Sequence, residues 1–261
     1  MRLLCSILLA SLLLVPLPSK NDVESIMHRT TAPPHHLTTS TTHSSAHSSQ
    51  LTVHNDSTIQ QINNSTNQQQ VCGIDVSHYQ GNINWKKVAK SGNVAFVYIK
   101  STEGATITDN CYDKNVENAR KAGLLVGSYH LYSPRSTAYD QMKNIRRKVK
   151  KNKQDLKVVL DIEEKHGRKL YMKRVDKLLS LIENEYGSTP IIYTSEHVYY
   201  AYFNKPKYKN KYQFFIANYK RKPAVKYALW QYTESGKVPG VPGYVDRIKL
   251  STDCSLNDLK I

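Results

Sequence analysis

The chain has 261 residues, with 37 Lys and Arg against 21 Asp and Glu, and a formal net charge of +16 at pH 7. A balance this basic favours anionic partners: nucleic acid, acidic lipid or an anionic polymer outside the cell. Neither zinc-finger spacing nor an aromatic RNA-binding signature accompanies the charge, and an export signal at the N-terminus argues against nucleic acid.

Residues 1–20 read as a secretory signal peptide. Met1-Arg2 is a basic start, and residues 3–17 are apolar apart from Ser6, Ser11 and Pro16, too short a core to span a bilayer comfortably. An uncleaved anchor is the alternative, and no clean small-x-small cleavage site precedes Lys20. Residues 21–70 turn to Thr, Ser, His and Gln and hold six of the ten histidines. Such polar low complexity cannot bury enough apolar surface to fold, and it predicts a disordered linker. Asn55, Asn63 and Asn64 open glycosylation sequons. The first 70 residues carry three basic and three acidic side chains, so the whole excess, 34 against 18, belongs to residues 71–261, the predicted single domain. The product is expected to be secreted or otherwise extracytoplasmic, a monomer, and free of the membrane after signal cleavage. With Cys5 removed, an exported chain can pair Cys72 with Cys254, or Cys111 with either.

Residues 71–81 alternate apolar and polar side chains as a strand bearing Asp75, and Gly81 and Asn82 turn the chain. A helix through Trp85 and Val88 stops near Gly92. Residues 94–100 form a buried β-branched strand that opens into Ser101, Thr102, Glu103 and Gly104. Tyr112, Val116 and Ala119 recur at helical spacing before Gly123. Residues 124–130 are a third strand, where Gly127 permits close packing inside a barrel. A basic helix over about 136–151 leads to a fourth strand, Val158, Val159 and Leu160, which runs into Asp161 and Glu163. Strand alternation turns those two acids to the same side, roughly 6.6 Å apart along the chain, and Glu164 to the other. Tyr171, Val175, Leu178, Ile182 and Tyr186 mark the clearest amphipathic helix, ended by Gly187. Strands follow over residues 190–194, 214–219 and 228–232, and Tyr244-Val245-Asp246 brings a further acid near the end.

Strands alternating with helices argue for a parallel α/β fold. Helices are strong only in the first half, so the expectation is an irregular, incomplete barrel. No glycine-rich phosphate loop follows a strand, which weakens a dinucleotide-binding reading. Polar side chains collect at strand C-terminal ends, where such a barrel keeps its chemistry: Asp75, Lys100 with Glu103, Tyr129 with His130, Asp161 with Glu163, Asn218 with Tyr219, Trp230 with Gln231, and Asp246. Aromatic rings cover the apolar faces of sugars, and carboxylates do the acid–base work of glycosidic cleavage. His78, His130, His166 and His197 form no metal-ligand spacing.

These motifs resemble the family 25 glycoside hydrolases. The residues that carry the likeness are Gly73 to Gly81 (GIDVSHYQG), Tyr98-Ile99-Lys100 with Thr102-Glu103-Gly104, Gly127 to His130 (GSYH), Asp161-Ile162-Glu163, and Trp230-Gln231-Tyr232 with Val245-Asp246. They fall in family order over nearly all of residues 71–258. The resemblance implies a flattened, irregular TIM-like β/α barrel and a secreted lysozyme that cuts the β-1,4 bond between N-acetylmuramic acid and N-acetylglucosamine in peptidoglycan, without cofactor or metal. It also implies Glu163 as general acid, Asp161 stabilising the charged intermediate, and Asp75 and Asp246 completing the acidic floor. Tyr129, Tyr219, Trp230, Gln231 and Glu103 are its expected substrate-binding residues. The departures are Leu131-Tyr132 after His130, and Arg247-Ile248 after Asp246. The alternative is a non-catalytic glycan-binding module on the same fold.

Overall fold

The structure, a computed structural model, describes residues 70–163 and 169–261. The expectations for the signal peptide, the linker, Cys5, Glu164 and His166 lie outside the described residues.

Nine strands form one sheet: β1 (Cys72–Val76), β2 (Phe96–Glu103), β3 (Ile107–Thr108), β4 (Leu125–Leu131), β5 (Val159–Asp161), β6 (Ile191–Ser195), β7 (Phe214–Ala217), β8 (Leu229–Gly236) and β9 (Val245–Leu250). Their order is β1-β9-β8-β7-β6-β5-β4-β2-β3, and β2 also pairs with β1, so eight strands close into a barrel with β3 hung on the edge of β2. Within the barrel, neighbours are parallel except around β9, which runs against both β8 and β1, and the edge strand β3 runs against β2. Only residues 237–244 join β8 to β9, fewer than the dozen or so a parallel crossover needs, and this forces the reversal.

Helices α1 (Trp85–Lys90), α2 (Tyr112–Lys121), α3 (Ala138–Lys148) and α4 (Lys169–Tyr186) cover the first half of the ring. The second half has the short helices α5 (Glu196–Val198) and α6 (Pro206–Lys209) and a π-helical turn, Tyr199–Phe203. The expected incompleteness therefore lies in the helical layer, and the sheet itself is closed.

Alternation along each strand sorts side chains into two cores. Inside the ring, Phe96, Leu125, Val159, Ile191, Phe215 and Leu229 pack together, with Leu156, Leu256 and Leu259 plugging the end where the parallel strands begin. Outside it, Val97, Ile99, Val126, Leu160, Ile192 and Ile216 meet the helices. The α4 face at Tyr171, Val175, Leu178, Ile182 and Tyr186 is buried, each side chain contributing about 1.5–3 kcal/mol of transfer free energy. Gly187 ends that helix at φ +74°, a left-handed position where side chains with a Cβ are strained. At Gly240 (φ +99°) the β8–β9 connection presses on the start of α1, where Asn84 N–H donates to Gly240 O at 2.8 Å.

The basic run of residues 143–157 is a solvated face with ion pairs across it: Arg146 with Glu185 (2.7 Å) and Lys148 with Asp113 (2.7 Å). The three cysteines of the domain are free thiols, so the pairings weighed from the sequence do not form. Cys111 leads into α2 at the mouth of the barrel, and Cys254 packs on the inner core beyond the far end of β9. The Cys72 thiol donates instead to Gln70 O at 3.3 Å.

Gly127 faces the ring interior, where a Cβ would come within 2.3 Å of the Tyr98 ring. Tyr98 is itself fully buried and packed on Phe215 at 6.0 Å between centroids. Gly127→Ala is expected to cost about 1–3 kcal/mol through overpacking and to lower Tm by roughly 2–12 °C in a scanning melt. A change below about 1 °C would show that the interior has room to spare.

Candidate active site

The inward-facing positions at the C-terminal ends of the parallel strands are polar: Asp75 on β1, Lys100 on β2, Tyr129 on β4, Asp161 on β5, Tyr193 on β6 and Gln231 on β8. Because β9 is reversed, its first residues come to the same rim, and Asp246 stands directly opposite Asp75 in the β1–β9 ladder. Glu163 lies just past the end of β5. Its strand is shorter than the sequence predicted, but Ile162 is pinned to β6: its N–H donates to Tyr193 O (2.9 Å), and its carbonyl accepts from the Thr194 hydroxyl (2.7 Å). Ile162 is buried in the outer core, and Glu163 is exposed. Asp75, Asp161, Asp246 and Tyr193 all feel the charge of Glu163. The four acids expected to act together do share one mouth.

That mouth is electrostatically costly. Burial, then repulsion from Asp246, holds the Asp75 carboxyl well above the usual range, against a Gln231 N–H that favours its ionised form. Asp161 is 7 % exposed. Burial and the nearby charges of Glu163 and Asp75 push it well up, with Lys100 opposing. Asp161 Oδ1 is buried without a hydrogen-bond partner, a condition that native interiors rarely tolerate away from functional sites. Asp246 is pushed from 3.8 to about 6, chiefly by burial, with the hydrogen bond from Asp75 opposing. The Tyr129 phenol is raised well above its ordinary value by burial and by Asp75, Asp161 and Asp246. Protein encloses these carboxyls on most sides, so burial dominates each shift.

Around the acids, Lys100 pairs with Glu103 at 2.8 Å, which places Glu103 beside Asp161. Tyr219, 47 % exposed on the rim, donates to Gln231 Oε1 at 2.7 Å, and Tyr193 donates to the same oxygen at 2.8 Å. Gln231 Nε2 in turn donates to Asp75 Oδ2 at 2.9 Å. Trp230 is not brought into this group. It lies on the other face of β8, opposite Ile216 of the outer core and Lys249, with Lys249 Nζ 5.3 Å from its ring. Its indole N–H donates to Asn218 O at 2.8 Å. Alternation explains the difference, since a residue next to inward-facing Gln231 must point outward.

Tyr193 and Glu234 were not among the expected site residues. Tyr193 sits two positions after inward-facing Ile191, so counting by twos along β6 would have found it. Glu234, exposed on β8, acts on Asp246 and Tyr219, and nothing in its local sequence marks it. His130 faces outward and is buried, its Nδ1 at 2.8 Å from Thr102 Oγ1 and its Nε2 at 3.1 Å from Gln141 Oε1. His78 pairs with buried Asp109 at 2.8 Å. Among the described residues no three His, Cys, Asp or Glu side chains converge as metal ligands would.

The raised Asp246 has a consequence for stability. Its carboxyl titrates near 3.8 when unfolded and near 6 when folded, so folding takes up a proton between those values and stability falls as pH rises through them. Asp246→Asn is expected to be more stable than wild type above pH 7, by about 1–3 kcal/mol, and to lose the advantage below about pH 4. Denaturant melts at both pH values measure this, and a variant less stable at both would contradict it.

The sequence matches the family described as glycosyl hydrolases family 25 over residues 74–241. The protein YegX of Escherichia coli K12, itself uncharacterised, is 36% identical over 184 residues, covering 67% of this chain and 67% of that protein. Lysozyme M1 of Streptomyces globisporus is 32% identical over 200 residues, 69% of this chain and 68% of that one. Among solved structures, the bacterial lysozyme of Streptomyces coelicolor aligns with a TM-score of 0.65 at 30% identity, over 73% of this chain and 95% of its own. A family 25 glycosyl hydrolase from Bacillus anthracis aligns with a TM-score of 0.65 at 28% identity, over 75% and 95%. With its family 25 match across most of a closed β/α barrel, and a lysozyme among relatives of this similarity, the chain belongs to glycosyl hydrolase family 25 and is a glycoside hydrolase.

Proposed function

We propose that the protein is an exported muramidase that hydrolyses the β-1,4 bond between N-acetylmuramic acid and N-acetylglucosamine in peptidoglycan. The observation that carries this reading is the pairing of exposed Glu163 with buried Asp161 at one mouth, bordered by Asp75 and Asp246. In this reading Glu163 gives its proton to the glycosidic oxygen as the bond to C1 breaks. Positive charge then develops at the ring, and the acetamide oxygen of the same sugar closes on C1 while Asp161 steadies the charge. Water later opens that intermediate, returning a proton to Glu163.

The position of Asp161 supports its role. A carboxylate that burial and neighbouring acids make unfavourable in the empty groove gains most when cationic charge appears beside it, because the attraction is strongest where water is excluded. In this reading Asp75 and Asp246 hold sugar or water, and Tyr129, Tyr219 and Glu103 line the groove. Export rests on the sequence of residues 1–20. Among the described residues no helix is long and apolar enough to cross a membrane.

Release of soluble muropeptides from purified peptidoglycan, measured by mass spectrometry, tests the reaction. Glu163→Gln is expected to lower the rate at least about 100-fold with an unchanged melting temperature. Equal release by both proteins removes Glu163 from the mechanism, and no release by wild type leaves a glycan-binding module. The charge of +16 should draw the enzyme to an anionic wall. Turnover is therefore expected to fall several-fold as salt rises from about 0.01 to about 0.15 M, where the Debye length shrinks from about 30 to about 8 Å. A flat salt profile would exclude this steering.

A further inference from the structure

Gln231 is 3 % exposed, and its side-chain amide is already committed within the protein. The oxygen accepts from two phenols, Tyr193 at 2.8 Å and Tyr219 at 2.7 Å, while Nε2 donates to Asp75 Oδ2 at 2.9 Å. Two hydroxyl donors converging on one oxygen fix which way round the amide stands. Asp75 and Asp246 face each other across the β1–β9 ladder and interact carboxyl to carboxyl, an arrangement in which a proton held between them relieves the repulsion.

We propose that Gln231 is a positioning residue for the acidic pair: its amide, oriented by Tyr193 and Tyr219, reserves Asp75 Oδ2 as an acceptor, so that the shared proton lies between Asp75 and Asp246. A proton held between the two carboxyls stays out of the groove, and the far oxygen of Asp246 remains an acceptor for sugar or water. Tyr219 links this arrangement to the rim, because its half-exposed ring stands where a sugar would stack and its hydroxyl anchors the amide. The amide is thus not a free substrate contact, which revises the expectation for Gln231. The proposal deepens the muramidase reading, and its catalytic consequence rests on that reading.

Other groups act on the pair as well. Glu163 and Asp161 face Asp75 from the end of β5, and Glu234 faces Asp246 from β8. The phenols of Tyr129, Tyr193 and Tyr219 feel Asp75 from β4, β6 and the loop after β7. Lys100 of β2 acts on Asp161. Gln231 supplies Asp75 with an N–H that opposes burial and the nearby negative charge, so its loss should tighten the hold on the proton.

The test is a carbon-13 carboxyl NMR titration of the full chain, comparing wild type, Gln231→Met and the double variant Tyr193→Phe/Tyr219→Phe, with peptidoglycan hydrolysis measured alongside. Gln231→Met is expected to raise the midpoint at which the pair loses its last proton by about one pH unit, tenfold in proton affinity. The double variant should shift it the same way by a smaller amount, and the acid limb of kcat should move with it while KM stays within twofold. A midpoint unchanged within about 0.2 units in both variants overturns the proposal. So does a downward shift, which would mean that the amide presents its oxygen to Asp75. If Gln231→Met does not fold, the tyrosine variant decides alone. The expected shift in a wild type that releases no muropeptides would sink the muramidase reading and leave the role of Gln231 standing.

Discussion

The reversal of β9 sets Asp246 opposite Asp75 across a single ladder step, and the character of the mouth depends on those two carboxyls being held together away from bulk water. Seven parallel strands bring their C-terminal ends to one rim, but only an antiparallel strand brings its beginning there. The brevity of residues 237–244 therefore does more than close the ring. It delivers an acid to a site that already holds Asp75, Asp161 and Glu163.

Concentrating charge in this way runs against stability. Burial and mutual repulsion raise the proton affinity of Asp75, Asp161 and Asp246 together, so the folded protein carries protons there that the unfolded chain would release. Lys100 and the Gln231 amide offset part of that strain. The rest is tolerated because the interior below the acids, apart from the Tyr98 hydroxyl, is apolar and packed, from Tyr98 and Phe215 down to the Leu156, Leu256 and Leu259 plug. A rigid floor keeps carboxyls that repel one another from drifting apart.

Much of this was legible in the chain. Val158 to Leu160 running into Asp161 told a buried strand from its wet end, and the periodic face from Tyr171 to Tyr186 located the longest helix. Asp161 and Glu163 share a mouth as alternation predicted, although the strand ends at Asp161 and the pinning of Ile162 carries the chain onward. The direction of β9 was not legible, because hydrophobic alternation reads the same both ways along a strand. The short, glycine-punctuated segment around Gly236, Gly240 and Gly243 was the available clue. The resemblance puts both Trp230 and Gln231 in the groove, whereas adjacency in a strand means opposite faces. Tyr193 is legible only by counting along β6 from Ile191, because by residue type alone an aromatic at a strand end looks like core. The pairing of Cys111 with Cys254 failed for a spatial reason, Cys111 standing at the barrel's mouth and Cys254 beyond its far end.

His130 shows how differently the wall and the mouth of the barrel are made. Its ring ties β4 to Thr102 of β2 and Gln141 of α3, and burial lowers its pKa to about 4. Over the range in which Asp246 gains or loses its proton, this imidazole stays neutral and its two bonds are undisturbed. Acidity can thus reset the charge at the opening while the staves around it hold their shape, so that mouth and wall answer to different parts of the pH scale.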